Sequence, residues 1–427
     1  MPVSEFDPKS FLCELFDTAV AEADPLKRIP AFLPQKPKGR LVVIGAGKAS
    51  ARMAEAVEKH YGPCEGKVIT RYGYSRPTAQ IEILEASHPV PDEQGVEATK
   101  TLLSYVSYLT EDDLVIALIS GGGSALLCAP VEGVSLVEKQ SLNQQLLARG
   151  APISDMNIIR KYFSAVKGGK LADACGNATI LGLVISDVPG DDLSLIASGP
   201  TVAHENDPAL VKHLMDKWAI EVPLEMLNAA VKANTITRPG SFDNVSNHII
   251  AAPSQSLNAA AALAKDCGID VEILGDDLQG EARDLGAVHA RLAIKRSKER
   301  SPEQAPLLIL SGGECTVTRT GNGVGGPNAE YALSAAIALA GHPDIHLFAG
   351  DTDGVDGAAE VAGSIVTPST TERAQALGIS MVQSLVNNDA HSFFANLDDQ
   401  MITGPTFTNV NDFRAILVGN VPSLNRQ

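Results

Sequence analysis

The 427-residue chain exceeds the size at which a single hydrophobic core stops growing, so two domains are expected. Apolar residues at 44% and charged residues at 20% exclude a disordered chain, and no apolar run nears the ~18 residues of a membrane span. The net charge of −17 excludes a nucleic-acid-binding surface but not a phosphate-bearing small ligand, which local amides, a few lysines and a metal can hold.

The opening residues, MPVSEFDPKSFLCELF, carry no basic segment followed by an apolar one, so they do not read as a signal peptide. Phe11, Leu12, Leu15 and Phe16 fall on one helical face. The six cysteines form no C-x-x-C pair, which predicts reduced, buried thiols and a cytoplasmic location. Continuous apolar runs at 40–44, 67–70, 113–120 and 178–186 predict strands covered on both faces, hence a largely parallel sheet. Helical patterns such as 93–109 lie between them, so the first part reads as a doubly wound, Rossmann-like α/β domain. We expect it to cover 1–238, with a linker near 239–246 where Pro, Gly, Ser and Asn cluster. A smaller α/β domain with a mixed sheet is predicted for 247–427. Its strands fall near 248–252, 270–274, 307–310 and 345–350, its helices include 283–295 and 328–341, and Thr-Gly-Asn-Gly (320–323) suggests a hairpin.

In open parallel sheets ligands bind beyond the carboxyl ends of strands, which singles out four loops. Gly45-Ala46-Gly47-Lys48-Ala49-Ser50 fails as a dinucleotide fingerprint at Ser50 and lacks an acidic partner after the next strand, which ends in Thr70-Arg71. It also fails as a P-loop on spacing. It is either a glycine turn that brings Lys48 and backbone to an anion or a tight turn with a solvated lysine. Ser120-Gly121-Gly122-Gly123-Ser124 offers unobstructed amides suited to phosphate oxygens. Asp187, Asp191 and Asp192 follow a third strand, where carboxylates hold Mg²⁺, take a proton or cap a helix. Asp351, Asp353 and Asp356 follow a fourth but miss the calcium-loop pattern at Val355 and Ala362. A basic stretch with Arg160, Lys161, Lys167 and Lys170 is either a helix C-terminus or a grip on carboxylate or phosphate. No metal-binding histidine spacing and no G-x-S-x-G elbow occurs, and His88 takes no assigned role.

Several motifs together resemble the class II glycerate kinases, nearly end to end and in order. They are Gly45-Ala-Gly-Lys48-Ala, His88-Pro-Val-Pro-Asp92, Ser120-Gly-Gly-Gly-Ser124, Arg160-Lys161 through Lys170, Ile185-Ser-Asp187-Val-Pro-Gly-Asp191 and Ala197-Ser-Gly-Pro-Thr201. Leu310-Ser-Gly-Gly-Glu314, Gly325-Gly-Pro-Asn328-Ala-Glu330, Asp351-Thr-Asp-Gly354 and Gly404 through Asp412 look like the C-terminal MOFRL domain of that family. The resemblance implies an ATP- and Mg²⁺-dependent kinase acting on D-glycerate to give 2-phosphoglycerate, in a cleft between the two domains. On this reading Lys48 and Asp187 are catalytic, and Arg160, Lys161, Lys167 and Asp191 bind substrate. Gly45, Gly47, Ser120, Gly121, Gly122, Gly123, Ser124, Gly313, Glu314, Asn328 and Glu330 bind the nucleotide, and Asp187, Asp351 and Asp353 bind the metal. Glycerate and ATP are the expected partners, with a homodimer left open.

Two departures stand out. Val324, Pro327 and Ala329 occupy places where the family loop is richer in arginine, with Arg319 the candidate substitute, and Phe407 replaces a smaller residue. Members are also labelled hydroxypyruvate reductase, so an NAD(P)-dependent reductase, with Arg71 on a 2′-phosphate, is the rival activity. A non-catalytic sugar-phosphate-binding regulator is a third reading.

Overall fold

The computed structural model describes residues 6–205, 207–235, 242–301 and 303–419. The chain divides into two compact units, one of Pro25–Ile250 and one of Met1–Asp24 with Ala251–Gln427. The first helix thus groups with the C-terminal half, not with the 1–238 domain expected from its position in the chain. Residues 239–241 of the expected linker lie outside the described residues.

The Pro25–Ile250 unit is built on a six-stranded sheet. Its strands are β1 (Leu41–Ala46), β2 (Glu65–Arg71), β3 (Glu82–Ala86), β4 (Leu114–Ile119), β5 (Thr179–Ile185) and β6 (Val245–Ala251), in the order β3-β2-β1-β4-β5-β6. The β1–β2, β1–β4, β2–β3 and β4–β5 pairs are all parallel. Every residue of β1 and β4 is buried, as their unbroken apolar runs require of strands covered on both faces. Helix Glu93–Val106, capped by the Asp92 side chain on the Gly95 amide, sends Leu102 and Val106 into the core with Val42, Ile44, Val115 and Ala117. The strand order reverses between β1 and β4, and the glycine loops follow those two strands at their carboxyl ends. That is where such sheets bind ligands.

The other unit carries a mixed sheet. Its strands are β7 (Asp270–Ile273), β8 (Gly280–Glu281), β9 (Leu307–Ser311), β10 (Cys315–Thr316), β11 (Ile345–Asp351), β12 (Gly363–Val366), β13 (Gln400–Met401) and β14 (Asp412–Val418). Six of them run β13-β12-β11-β14-β9-β7, with only β7–β9 parallel among the pairs, while β8 and β10 pair apart. Alternate side chains serve opposite faces. Leu308, Leu310, Phe348 and Phe413 pack with Phe11, Leu12, Leu15 and Phe16 of helix Pro8–Glu22, whereas Leu307, Ile309 and Leu347 join the core under helices Ala282–Glu299 and Pro327–Leu339. The Phe16 ring lies 5.0 Å from Phe348 and 6.1 Å from Phe413, which ties the first helix to the far end of the chain.

The hairpin expected at 320–323 does not form. Asn388 Oδ1 accepts from the Thr320 and Gly321 amides, each at 2.8 Å, and Asp389 Oδ1 accepts from the Val324 amide at 2.8 Å. The segment hangs from a distant loop instead of folding back on itself.

Candidate active site

The turn after β1 is closed on itself. The Gly47 amide donates to the Ile69 carbonyl (3.1 Å), the Lys48 amide to the Gly121 carbonyl (2.8 Å) and the Ala49 amide to Ser120 Oγ (3.0 Å). These amides are occupied, so Gly45 and Gly47 do not offer the phosphate cradle expected of them. Gly47 is required for a different reason. Its φ is +144°, and a Cβ there would stand 2.0 Å from Ser120 Oγ. The turn thereby presses against the loop after β4 and carries the Lys48 side chain to Gly122, where a Cβ would lie 3.2 Å from Lys48 Cγ and 3.0 Å from the His88 ring. The structure therefore brings Lys48, His88 and the triple-glycine loop together.

That loop keeps open amides. Gly123 donates to the Ser120 carbonyl at 3.1 Å and Ser120 to the Ala46 carbonyl at 3.2 Å, whereas Gly121 and Gly122 have no acceptor among the described residues. Ser124 follows, half-buried, and is the meeting point of the basic stretch. Arg160 Nη2 donates to Ser124 Oγ at 3.0 Å, Lys167 Nζ lies 2.6 Å from the Ser124 carbonyl and 2.8 Å from its Oγ, and Ser198 Oγ lies 2.9 Å from the same atom.

Lys139, Lys161, Lys167 and Lys170 are all buried, and Lys170 Nζ donates to the Lys161 and Ser164 carbonyls. None of these lysines, nor Arg160, has a carboxylate within 4 Å among the described residues. The Lys139 ammonium and Arg160 Nε are buried without a hydrogen-bond partner. Burial pushes Lys139, Arg160 and Lys161 below their usual ranges and Lys170 down to about 8. Asp192 and Asp173 answer Lys161 and Lys170 only from beyond ion-pair distance, so the cluster is costly to hold in its charged form. A bound anion would relieve that cost. Lys139 was invisible in the sequence, where it is one polar residue among several in the segment 136–148, and Lys170 and Ser198 stood there without roles.

Asp187 follows β5 half-buried. Beyond it, Asp192 Oδ1 takes the Ser194 amide at 2.8 Å and so performs the local capping role, while Asp191 sits at φ +56°. Ala197 (φ +50°) and Ser198 (φ +65°) are left-handed too, at about 1–2 kcal/mol each. They are held there by the Gly168 and Gly169 amides, which donate to the Ser198 and Gly199 carbonyls at 3.0 and 2.8 Å. This strain sets Ser198 against Ser124.

In the other unit most nucleotide assignments give way to structural ones. Asp356 takes the Asn328 and Ala329 amides (2.9 and 2.8 Å) at the start of helix Pro327–Leu339, so a carboxylate of the chain itself holds the place where a phosphate was expected. The Asn328 side chain donates to Asp412 at 2.6 Å, and Glu330 pairs with the half-buried Arg283 (2.7 Å) and accepts from Asn388 (2.8 Å), the other four side chains being buried. The Gly313 carbonyl accepts from the Asp412 amide and from Arg414, a fully buried guanidinium that also bonds Asp412 and the Gly312 carbonyl. Burial pushes the Asp412 carboxyl up, against the pull of Arg414. Asn328, Glu330 and Gly313 thus build the unit rather than reach a ligand, while Glu314 stays exposed. Arg319 bonds the Gly321 and Gly323 carbonyls within its own loop, which ties up the candidate substitute for the missing arginines. Phe407 is left-handed at φ +60°.

Asp351 Oδ1 accepts from the Asp353 amide (2.9 Å), and the buried Asp353 from the Val355 amide (2.8 Å). No group of three or more His, Cys, Asp and Glu side chains is arranged to hold a metal among the described residues.

Comparison with known proteins agrees with this layout. Residues 11–231 match a domain of unknown function, DUF4147, and residues 307–412 match the MOFRL family. A protein of Agrobacterium vitis named as a candidate hydroxypyruvate reductase is 46% identical, over 98% of this chain and 96% of its own. The D-glycerate 2-kinase of Thermotoga maritima is 39% identical over 95% of this chain and 98% of its own. The crystal structure of a glycerate kinase from Thermotoga maritima superposes with a TM-score of 0.88 at 38% identity, covering 96% of this chain and 99% of that one. With similarity of this extent in both sequence and structure, the chain belongs to the glycerate kinase family that joins a DUF4147 domain to a MOFRL domain.

Proposed function

We propose that this protein is a glycerate kinase that transfers a phosphoryl group from ATP to the 2-hydroxyl of D-glycerate. The observation that carries the reading is the pairing of open Gly121 and Gly122 amides with the cationic Arg160 and Lys167 side chains that converge on Ser124. Phosphoryl transfer is mostly positioning and charge stabilisation, and these are the parts it requires. Lys48 neutralises charge on the transferring phosphate, and the open Gly121 and Gly122 amides cradle its oxygens. Arg160 grips the glycerate carboxylate, with Lys161 adding charge and Asp191 meeting a substrate hydroxyl. Magnesium typically arrives on nucleotide phosphates and needs only one or two carboxylates. Asp187, half-buried after β5, is our candidate for such a ligand.

The reductase reading is disfavoured by the first turn. Its amides are already bonded, so a pyrophosphate finds no donors where a dinucleotide fold needs them. Arg71, the candidate for a 2′-phosphate, stacks on Tyr74 at 4.4 Å.

The test is direct. Purified protein with D-glycerate, ATP and Mg²⁺ forms ADP and 2-phosphoglycerate, identified by phosphorus NMR, and leaves NADH and NADPH unconsumed with hydroxypyruvate. Reduced-cofactor loss without ADP formation would replace the kinase by the reductase.

A further inference from the structure

The fold carries His88 a long way from its own strand. It stands two residues beyond the end of β3, the edge strand, which lies three strand spacings, about 14 Å, from β4. Its ring nevertheless lies against Gly122, in the loop that follows β4. The turn that reaches across is anchored at several points. The Asp92 carboxylate closes it by accepting from the Ser87 amide, and also takes the Gly95 amide (2.9 Å) and the Tyr72 hydroxyl (2.7 Å). Gln140 Nε2, from helix Leu136–Ala148, donates to the Pro91 carbonyl at 2.9 Å.

The imidazole meets Gly122 by its Cδ2–Nε2 edge. A Cβ at Gly122 would stand 3.0 Å from either atom and 3.2 Å from Lys48 Cγ, so His88 and Lys48 both border the space a side chain would fill. Given the ordinary span from a backbone nitrogen to its Cβ, His88 Nε2 lies within about 5.5 Å of the open Gly122 amide nitrogen. A phosphoryl oxygen that accepts from that amide is then within reach of the imidazole N–H, at hydrogen-bond lengths of about 2.9 Å. His88, Lys48 and Gly122 are each half-buried and keep some surface open to a ligand.

We propose that His88 is a catalytic residue of the kinase reaction, donating from Nε2 to the γ-phosphoryl group that the Gly121 and Gly122 amides hold. The inference rests on the kinase reading above. As the glycerate 2-oxygen bonds to the γ-phosphorus, the bond from that phosphorus to its bridging oxygen breaks. ADP leaves with the electron pair, and the hydroxyl proton passes to water. His88 forms no bond to phosphorus and keeps its N–H proton throughout. That N–H meets the charge on the phosphoryl oxygens, beside the glycine amides and the Lys48 ammonium.

Three variants separate a donor from mere packing on Gly122. His88→Ala lowers kcat about 100-fold, as for loss of one preorganised donor, and leaves the ATP KM within about threefold. His88→Leu fills the place without a donor and stays as low. His88→Gln offers a side-chain N–H and restores kcat to within about tenfold of wild type. Nitrogen-15 NMR of histidine-labelled wild-type protein gives a readout independent of turnover. The His88 ring resonance, identified by its absence from His88→Gln, moves when the β,γ-imido analogue of ATP is added with Mg²⁺ and not when ADP is. A His88→Leu variant as active as His88→Gln, or a resonance that stays still or answers ADP equally, overturns the contact while glycerate turnover stands. A wild-type protein whose resonance moves with the analogue but which forms no 2-phosphoglycerate overturns the functional reading and keeps the phosphate contact.

Discussion

Asp356 Oδ1 accepts the Asn328 amide at 2.9 Å, and the same carboxylate lies 3.1 Å from His391 Nε2. One side chain thereby anchors the start of helix Pro327–Leu339 and the helix Ala390–Asn396. Gly326 has no room for a Cβ beside it. Asp356→Asn keeps the shape but turns an N–H group toward a helix N-terminus rich in N–H groups. We expect a loss of about 2–3 kcal/mol, read from the urea-unfolding midpoint.

Gly47→Ala tests the contact between the first two loops. A methyl group at φ +144° and 2.0 Å from Ser120 Oγ forces the turn away from the Ser120–Ser124 loop. The expected cost is about 2 kcal/mol in thermal unfolding, with a fall in kcat/KM because Lys48 moves with the turn.

Lys48→Ala leaves the turn's backbone bonds intact. Stability stays within about 1 kcal/mol, while kcat falls about 100- to 1000-fold, as for loss of one preorganised group facing developing charge. A variant within tenfold of wild type would remove Lys48 from the chemistry.

Arg160→Lys keeps the charge and loses the planar fork. The glycerate KM rises about tenfold, measured at saturating ATP, because one ammonium cannot hold a carboxylate at two points.

Acid destabilises the fold through two histidines. Burial lowers His289, beside Arg414, and His204, near Lys161 and Lys170, each to about 4. In the unfolded chain they take up protons near pH 6.5, so the unfolded state binds more protons between pH 6.5 and 4 and stability falls as pH drops through that window. His289→Asn flattens this part of the stability-against-pH curve, checked by denaturant midpoints at pH 7 and pH 5.

The parallel sheet was legible because strands covered on both faces read as unbroken apolar runs, and β4 lies within a residue of either end of its predicted run 113–120. The loops of the candidate site were legible as strand ends, since β4 stops at Ile119 just before Ser120 and β5 at Ile185 just before Asp187. What escaped is long-range pairing. Nothing local distinguishes Lys139 from a solvated lysine, since burial comes from the partners of its helix. The turn chemistry of 320–323 is real, yet the amides there find acceptors on Asn388 and Asp389, far along the chain. Asn328 and Glu330 were assigned to the nucleotide only through the family resemblance of the Gly325–Glu330 motif. Their partners Asp356, Asp412 and Arg283 become neighbours only when the sheet assembles.

The union of helix Pro8–Glu22 with strands from the other end of the chain has a consequence during synthesis. The apolar face of Phe11, Leu12, Leu15 and Phe16 is translated first, but Phe348 and Phe413, which cover it, come more than 300 residues later. At about 5–20 residues per second, that face waits roughly 15–80 seconds for its cover. A ribosome-bound nascent chain therefore displays a greasy helix while the Pro25–Ile250 unit already has all its strands, which makes the first helix the natural station for a holding chaperone.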